Sequence, residues 1–194
     1  QGVNRREFLH AGGALVVTFG AMRWTSEIGL ATADAAAQRL NGTGSTQLDR
    51  WIRVNADGTV TALTGKCELG HGLYTAQTQL VAEELCVPFS RVTLIQCDTD
   101  LTPDQGTTSG AQSHPTNFNR ADLALAAATA REALLAMAAE RLAIPLEQLV
   151  ARDGVVSSRA DAARKVSYGE LIGGRTFNLS LNPAARRKLP AEWT

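Results

Sequence analysis

Metal-ligating side chains are scarce in this 194-residue chain, which has 3 cysteines and 3 histidines. Cys67, Cys86 and Cys97 contain no C-x-x-C pair, and His10, His71 and His114 are equally scattered. A zinc or iron–sulfur site carried by this chain alone is therefore not expected. Each cysteine stands among apolar neighbours and reads as a packing residue. Charge of one sign is missing as well: 19 Lys and Arg balance 19 Asp and Glu. Without a basic field, a nucleic-acid backbone has nothing to attract it. No G-x-x-x-x-G-K-[ST] occurs, so the lysine for triphosphate chemistry is absent. Nor is there a long hydrophobic run. The stretch from Ala11 to Met22, broken by Thr18, is too short for a comfortable membrane span.

What is present suffices for one ordinary core, since 44% of the residues are hydrophobic. After the small, polar "NGTGSTQ" linker, "WIRVNADGTVTALTGK" gives two strands around Asp57-Gly58, a hairpin signal of the type I′ kind. The helix predicted over 74–85 carries Leu73, Gln77, Leu80, Val81 and Glu84 at helical spacing, with Pro88 as the stop. "RVTLIQCDTD" is the next strand. A polar loop over 98–117 leads into an alanine-rich helix with the stripe Leu123, Ala127, Ala130, Leu134 and Met137, stopped by Pro145. "LVARDGVVSS" repeats the strand and Asp-Gly pattern, and in "SYGELIGG" Glu170 follows Ser167 by three, as a capping box requires. The order β-β-α-β-α-β-β-α predicts an α/β fold: one mixed sheet with helices packed on a face.

Two glycine- and hydroxyl-rich loops leave this framework in the same direction. One is Gly70-His71-Gly72, ahead of a helix. The other, "TDLTPDQGTTSGAQS", carries Thr107, Thr108, Ser109 and Ser113, with Gly106 and Gly110 exposing backbone N–H groups. Such loops cradle phosphates and other anions. An ordinary flexible loop stays open beside that reading, as does His71 as a turn residue facing solvent. Glu83 and Glu84 read as a solvated helix edge. Arg186, Arg187 and Lys188 read as a solvated stretch of a Pro- and charge-rich passage between modules.

The residues Glu68, Gly70, Gly72, Thr75, Gln79, Ala82, Glu84, Leu85, Pro88, Asp98-Thr99-Asp100, Thr108, Gly110 and Ser113 carry a resemblance. Over roughly 49–175 the chain resembles the molybdenum-cofactor-binding portion of the xanthine dehydrogenase and aldehyde oxidase family, in the style of the isoquinoline 1-oxidoreductase β-subunit. The matching pattern is E-x-G-Q-G, T-x-x-x-Q, A-x-E-L-x-x-P, a strand ending D-T-D, and a loop ending T-x-G-S-x-S. The resemblance implies a portion of a larger molybdopterin-binding domain. Its cofactor is molybdopterin cytosine dinucleotide with molybdenum, shared with the rest of the large subunit. Gly70, His71, Gly72, Thr108, Gly110, Ala111, Gln112 and Ser113 would contact it. His71 stands where the family usually has Gln, and Ala111 where the branch has Ser. No catalytic or metal-ligating residue is assigned, because that family's base lies near the end of a much longer chain.

The same resemblance implies oxidation of an aldehyde or aromatic N-heterocycle, with electrons leaving to a [2Fe–2S] small subunit and a c-type cytochrome as a further acceptor. Arg5-Arg6, followed by "x-F-L", resembles the twin-arginine export signal, which implies a periplasmic protein attached to the cytoplasmic membrane if the signal is retained. The expected organisation is a signal over 1–40, a linker over 41–48, the cofactor domain over 49–175 and a second linker over 176–194. A non-catalytic, membrane-tethered assembly protein on the same fold is the alternative.

Overall fold

The computed structural model describes residues 45–106, 108 and 122–194. The order among them is β1 (Ile52–Val54), β2 (Val60–Thr64), α1 (Leu73–Leu85), β3 (Val92–Gln96), α2 (Asp122–Leu142), β4 (Leu149–Arg152), β5 (Val155–Ser158), β6 (Lys165–Ser167) and α3 (Tyr168–Ile172). The α/β class holds. The single sheet does not: the described strands form two three-stranded sheets, β1-β2-β3 and β4-β5-β6. β6 has only three residues, too few to show alternation, and it completes the second sheet.

In the first sheet β1 and β2 are antiparallel, whereas β2 and β3 are parallel with Thr64 opposite Gln96. Parallel neighbours need a crossover, and α1 supplies it. Helix α1 buries Leu73, Gln77, Leu80, Val81 and Glu84, the face that the spacing predicts, and Leu85 as well. It ends at Cys86, whose left-handed φ of 54° closes the helix before Pro88 is reached. Helix α2 packs against α1, and its buried Ala126, Ala127 and Ala130 allow close approach. Trp51, Leu48, Leu134 and Tyr168 complete a continuous core.

The two Asp-Gly turns differ in type. Between β4 and β5 the loop is two residues long and both are left-handed, Asp153 at φ 53° and Gly154 at 75°. That is the type I′ geometry. At Asp57-Gly58 only Gly58 (φ 80°) is left-handed. There Gly58 N–H donates to Asn55 O at 2.9 Å and Asn55 N–H to Thr59 O at 2.8 Å, so the loop has three residues with a bulged glycine instead of type I′. Thr59 donates both its N–H and its hydroxyl to the Asp57 carboxylate, which the hydroxyl above all holds below its ordinary range. At α3 the capping box is complete, Ser167 and Glu170 bonding each other's backbone N–H.

The last stretch is docked through its backbone, although most of its residues stay exposed. Asp49 accepts from Phe177 N–H at 2.7 Å and Asn178 N–H at 2.9 Å. Leu48 N–H meets Leu179 O at 2.8 Å. Further on, Arg186 N–H reaches Glu132 at 2.9 Å, and Lys188 gives its N–H to Glu84 and its ammonium to Glu83 O, both at 2.6 Å. The helix-edge reading of Glu83 and Glu84 is corrected by the same contacts. Glu84 is 1% exposed and pairs with Arg131 at 2.5 Å, and Glu83 accepts from Thr194 N–H at 2.9 Å. Partners 47 and more residues away along the chain bury them.

Candidate cofactor site

β2 and β3 are adjacent and parallel, so both following loops start from the same edge of the sheet, where open α/β sheets place ligands. These loops are joined at successive points. Gly65 comes so close to the second loop that an added Cβ would lie 2.2 Å from Pro103 O. Gln105 accepts from the Thr64 hydroxyl at 2.7 Å and from Gly65 N–H at 2.8 Å, while Lys66 donates its ammonium to Gln105 O at 2.6 Å. Cys67 N–H donates to the Thr108 hydroxyl oxygen at 2.9 Å. Beneath lies an amide relay. Gln96 donates to Gln77 at 3.3 Å, and the buried Gln77 donates to Thr64 Oγ1 at 3.4 Å.

A disulfide joins Cys67 to Cys97, 30 residues apart in sequence. This corrects the reading of these two cysteines as packing residues. Each lies just beyond the end of a parallel strand, and Cys97 N–H donates back to Thr64 O at 3.0 Å, so strand register itself brings the sulfurs together. Cys86 remains a free thiol.

The Gly70-His71-Gly72 turn is exposed, with both glycines left-handed at φ 91° and 80°. Its backbone N–H groups converge on one anion, and that anion belongs to the chain. Glu68 Oε1 accepts from Gly70 at 2.6 Å, His71 at 2.7 Å and Gly72 at 3.1 Å, and its Oε2 accepts from Tyr74 at 2.8 Å. The Tyr74 N–H foremost, then those of Gly72, Gly70 and His71, hold the Glu68 carboxyl down at about 2, against the opposing effect of desolvation. His71 Nδ1 accepts from Leu69 N–H at 3.2 Å. The same Nδ1 is 3.5 Å from Glu68 Oε1.

Of the residues predicted to form the site, Gly70, His71, Gly72 and Thr108 lie in the described part, on loops that adjoin through Cys67. Gly110, Ala111, Gln112 and Ser113 lie outside the described residues. A separate cleft of about 650 Å³, lined by Glu83, Cys86, Phe89, Arg152 and Lys188 among others, includes none of the described four. Sequence reasoning missed the part that Glu68 plays in the turn, although a carboxylate two residues before Gly-x-Gly is a signal for N–H capture. It missed Gln105 and Gln77 because nothing local marks a glutamine as buried.

These features define an α/β module with two adjoining loops at the carboxyl ends of a parallel strand pair. A family profile described as molybdopterin cofactor-binding domain matches residues 14–191, and the chain belongs to that family. It is 37% identical over 135 residues to a nicotinate dehydrogenase chain of Pseudomonas putida, covering 70% of this chain and 11% of that one. It is 33% identical over 180 residues to the β-subunit of isoquinoline 1-oxidoreductase from Brevundimonas diminuta, covering 88% and 22%. The crystal structure of quinoline 2-oxidoreductase from Pseudomonas putida 86 superposes with a TM-score of 0.52 at 26% identity, over 63% of this chain and 15% of that one. The chain thus spans between a tenth and a quarter of the length of these relatives.

The described residues fit such a cofactor in a particular manner. A Cβ built at Gly70 or Gly72 meets none of the described residues within 4 Å, so none of them blocks the approach of a flat group to the outer side of the turn. The turn's N–H groups, in contrast, are already taken and fit no phosphate.

Proposed function

We propose that the chain supplies one wall of a molybdopterin cytosine dinucleotide site in an exported hydroxylase or dehydrogenase acting on an aromatic N-heterocycle or an aldehyde. The observation that carries this reading is the junction of the two loops at Cys67 and Thr108, on the sheet edge where the family's cofactor-binding motif falls. The names of the relatives, nicotinate, isoquinoline and quinoline enzymes, favour the heterocycle over the aldehyde. When bound, the group supplies two-electron redox chemistry, and this chain contributes orientation and electrostatics. Gly70, His71 and Gly72 face the pterin, while Thr108 leads into 110–113, whose amides and the Ser113 hydroxyl take the phosphates. The rest of the large subunit, a [2Fe–2S] subunit and a c-type cytochrome complete the electron path. Export follows the twin-arginine route into the periplasm.

The test is metal and nucleotide analysis of the native assembly. Molybdenum together with CMP released by acid hydrolysis, in a particle holding this chain with larger companions, is the expected result. A particle without molybdenum overturns the reading.

A further inference from the structure

Rows of backbone N–H groups that turn toward a common point form an anion nest, and in many loops that nest receives a ligand phosphate. Here the nest is filled from within. The N–H groups of Gly70, His71, Gly72 and Tyr74 all end on the Glu68 carboxylate at 2.6–3.1 Å. Gly72 is also the N-cap of α1 and has no side chain to cap it. The carboxylate does that work from four residues upstream, bonding Gly72 and Tyr74 in the first turn. Both consequences concern the ligand. The turn has its shape before any cofactor arrives, so binding need not order it. An anionic group brought to the turn would meet a fixed negative charge with no free N–H to answer it.

We propose that Glu68 is a positioning residue: it locks the Gly70–His71–Gly72 turn in its binding shape and restricts that turn to the uncharged part of the cofactor. This rests on the functional reading above for the identity of the ligand, but the lock itself does not. Glu68 touches no reacting atom and acts through the turn.

The experiment compares wild type, Glu68→Gln and Glu68→Ala in the full assembly by amide hydrogen exchange and by cofactor content. In wild type the amides of Gly70, His71 and Gly72 should exchange slowly although the turn is exposed. Glu68→Gln, which keeps the size but not the charge, should speed them about tenfold, as expected for loss of a charged acceptor. Glu68→Ala should lose bound molybdopterin, and millimolar formate should restore part of it by refilling the vacated nest, whereas a side chain of merely structural importance gives no such rescue. Wild-type exchange at the unprotected rate overturns the lock without any variant needing to fold. Wild-type cofactor content in Glu68→Ala, or loss that formate does not touch, overturns the positioning role. If the wild-type assembly holds no molybdopterin, the functional reading fails, while slow exchange of those amides still upholds the lock.

Discussion

Cys67 and Thr108 are 41 positions apart, and the N–H of the first donates to the hydroxyl oxygen of the second at 2.9 Å. That bond ties the two loops to each other. Replacing Thr108 with Val keeps the shape and removes the acceptor, leaving a partly buried N–H unanswered. The expected cost is about 1–3 kcal/mol, with a matching loss of cofactor retention. Urea denaturation and molybdenum content measure the two effects.

The Cys67–Cys97 disulfide closes a loop of 30 residues. Chain-entropy reasoning gives a stabilisation of about 3–4 kcal/mol for such a loop. Thiol titration of the unfolded, non-reduced chain should find one free thiol, that of Cys86, and all three after reduction. Reductant should lower the denaturation midpoint of wild type and leave a Cys67→Ser/Cys97→Ser variant unmoved.

Gly65 permits the closest backbone approach in the site. Gly65→Ala places a methyl group 2.2 Å from Pro103 O and should cost about 1–3 kcal/mol by overpacking. Loop separation would follow, seen as faster exchange of the Cys67 amide. Gly70→Ala has open space around it and is strained only by its φ of 91°, so it should leave the Cys67 amide protected.

Glu84 and Arg131 join α1 to α2 through a buried pair. Removing either partner strands the other, at an expected cost of about 3–5 kcal/mol. The double variant Glu84→Leu/Arg131→Met should recover most of it. A double-mutant cycle by chemical denaturation checks this, and purely additive losses would deny the pair its role.

Acid should act on Glu68 and Glu84 in opposite directions. Glu68 has a folded-state value of about 2 against an ordinary 4.5. Its contribution is complete above about pH 4.5 and is lost as the pH falls toward 2. Burial pushes the Glu84 carboxyl up despite the pull of Arg131, so its own contribution grows on acidification. Stability measured between pH 4.5 and 2 should therefore fall less steeply in Glu68→Gln than in wild type.

Local signals were legible where one element decides its own fate. The helix predicted over 74–85, the Ser167–Glu170 box and the Asp153-Gly154 turn each emerge as the residues demand, because their energetics involve near neighbours. The unread features are long-range. Whether six short strands make one sheet or two depends on packing that no dipeptide encodes. The Cys67–Cys97 link follows from the β2–β3 register, and the burial of Glu84 from a tail a hundred positions later. Asp57-Gly58 failed for a subtler reason: the dipeptide permits two hairpin geometries, and strand pairing chose the longer loop. At the site, the motif marked the glycine turn, and the Glu68 carboxylate two residues before it was a local signal left unread, whereas the buried Gln77 and Gln105 carried none.

The clasp of Asp49 on the amides of Phe177 and Asn178, beside the Gln47–Ser180 bridge, sets a minimum length for any excised version of this module. Trimming at residue 175, the domain end expected from the sequence, would strip Leu48 and Thr46 of the main-chain partners they find in Leu179 and Leu181 and Glu84 of its Lys188 amide. The piece that folds takes in the tail beyond 175, as the family match over residues 14–191 does.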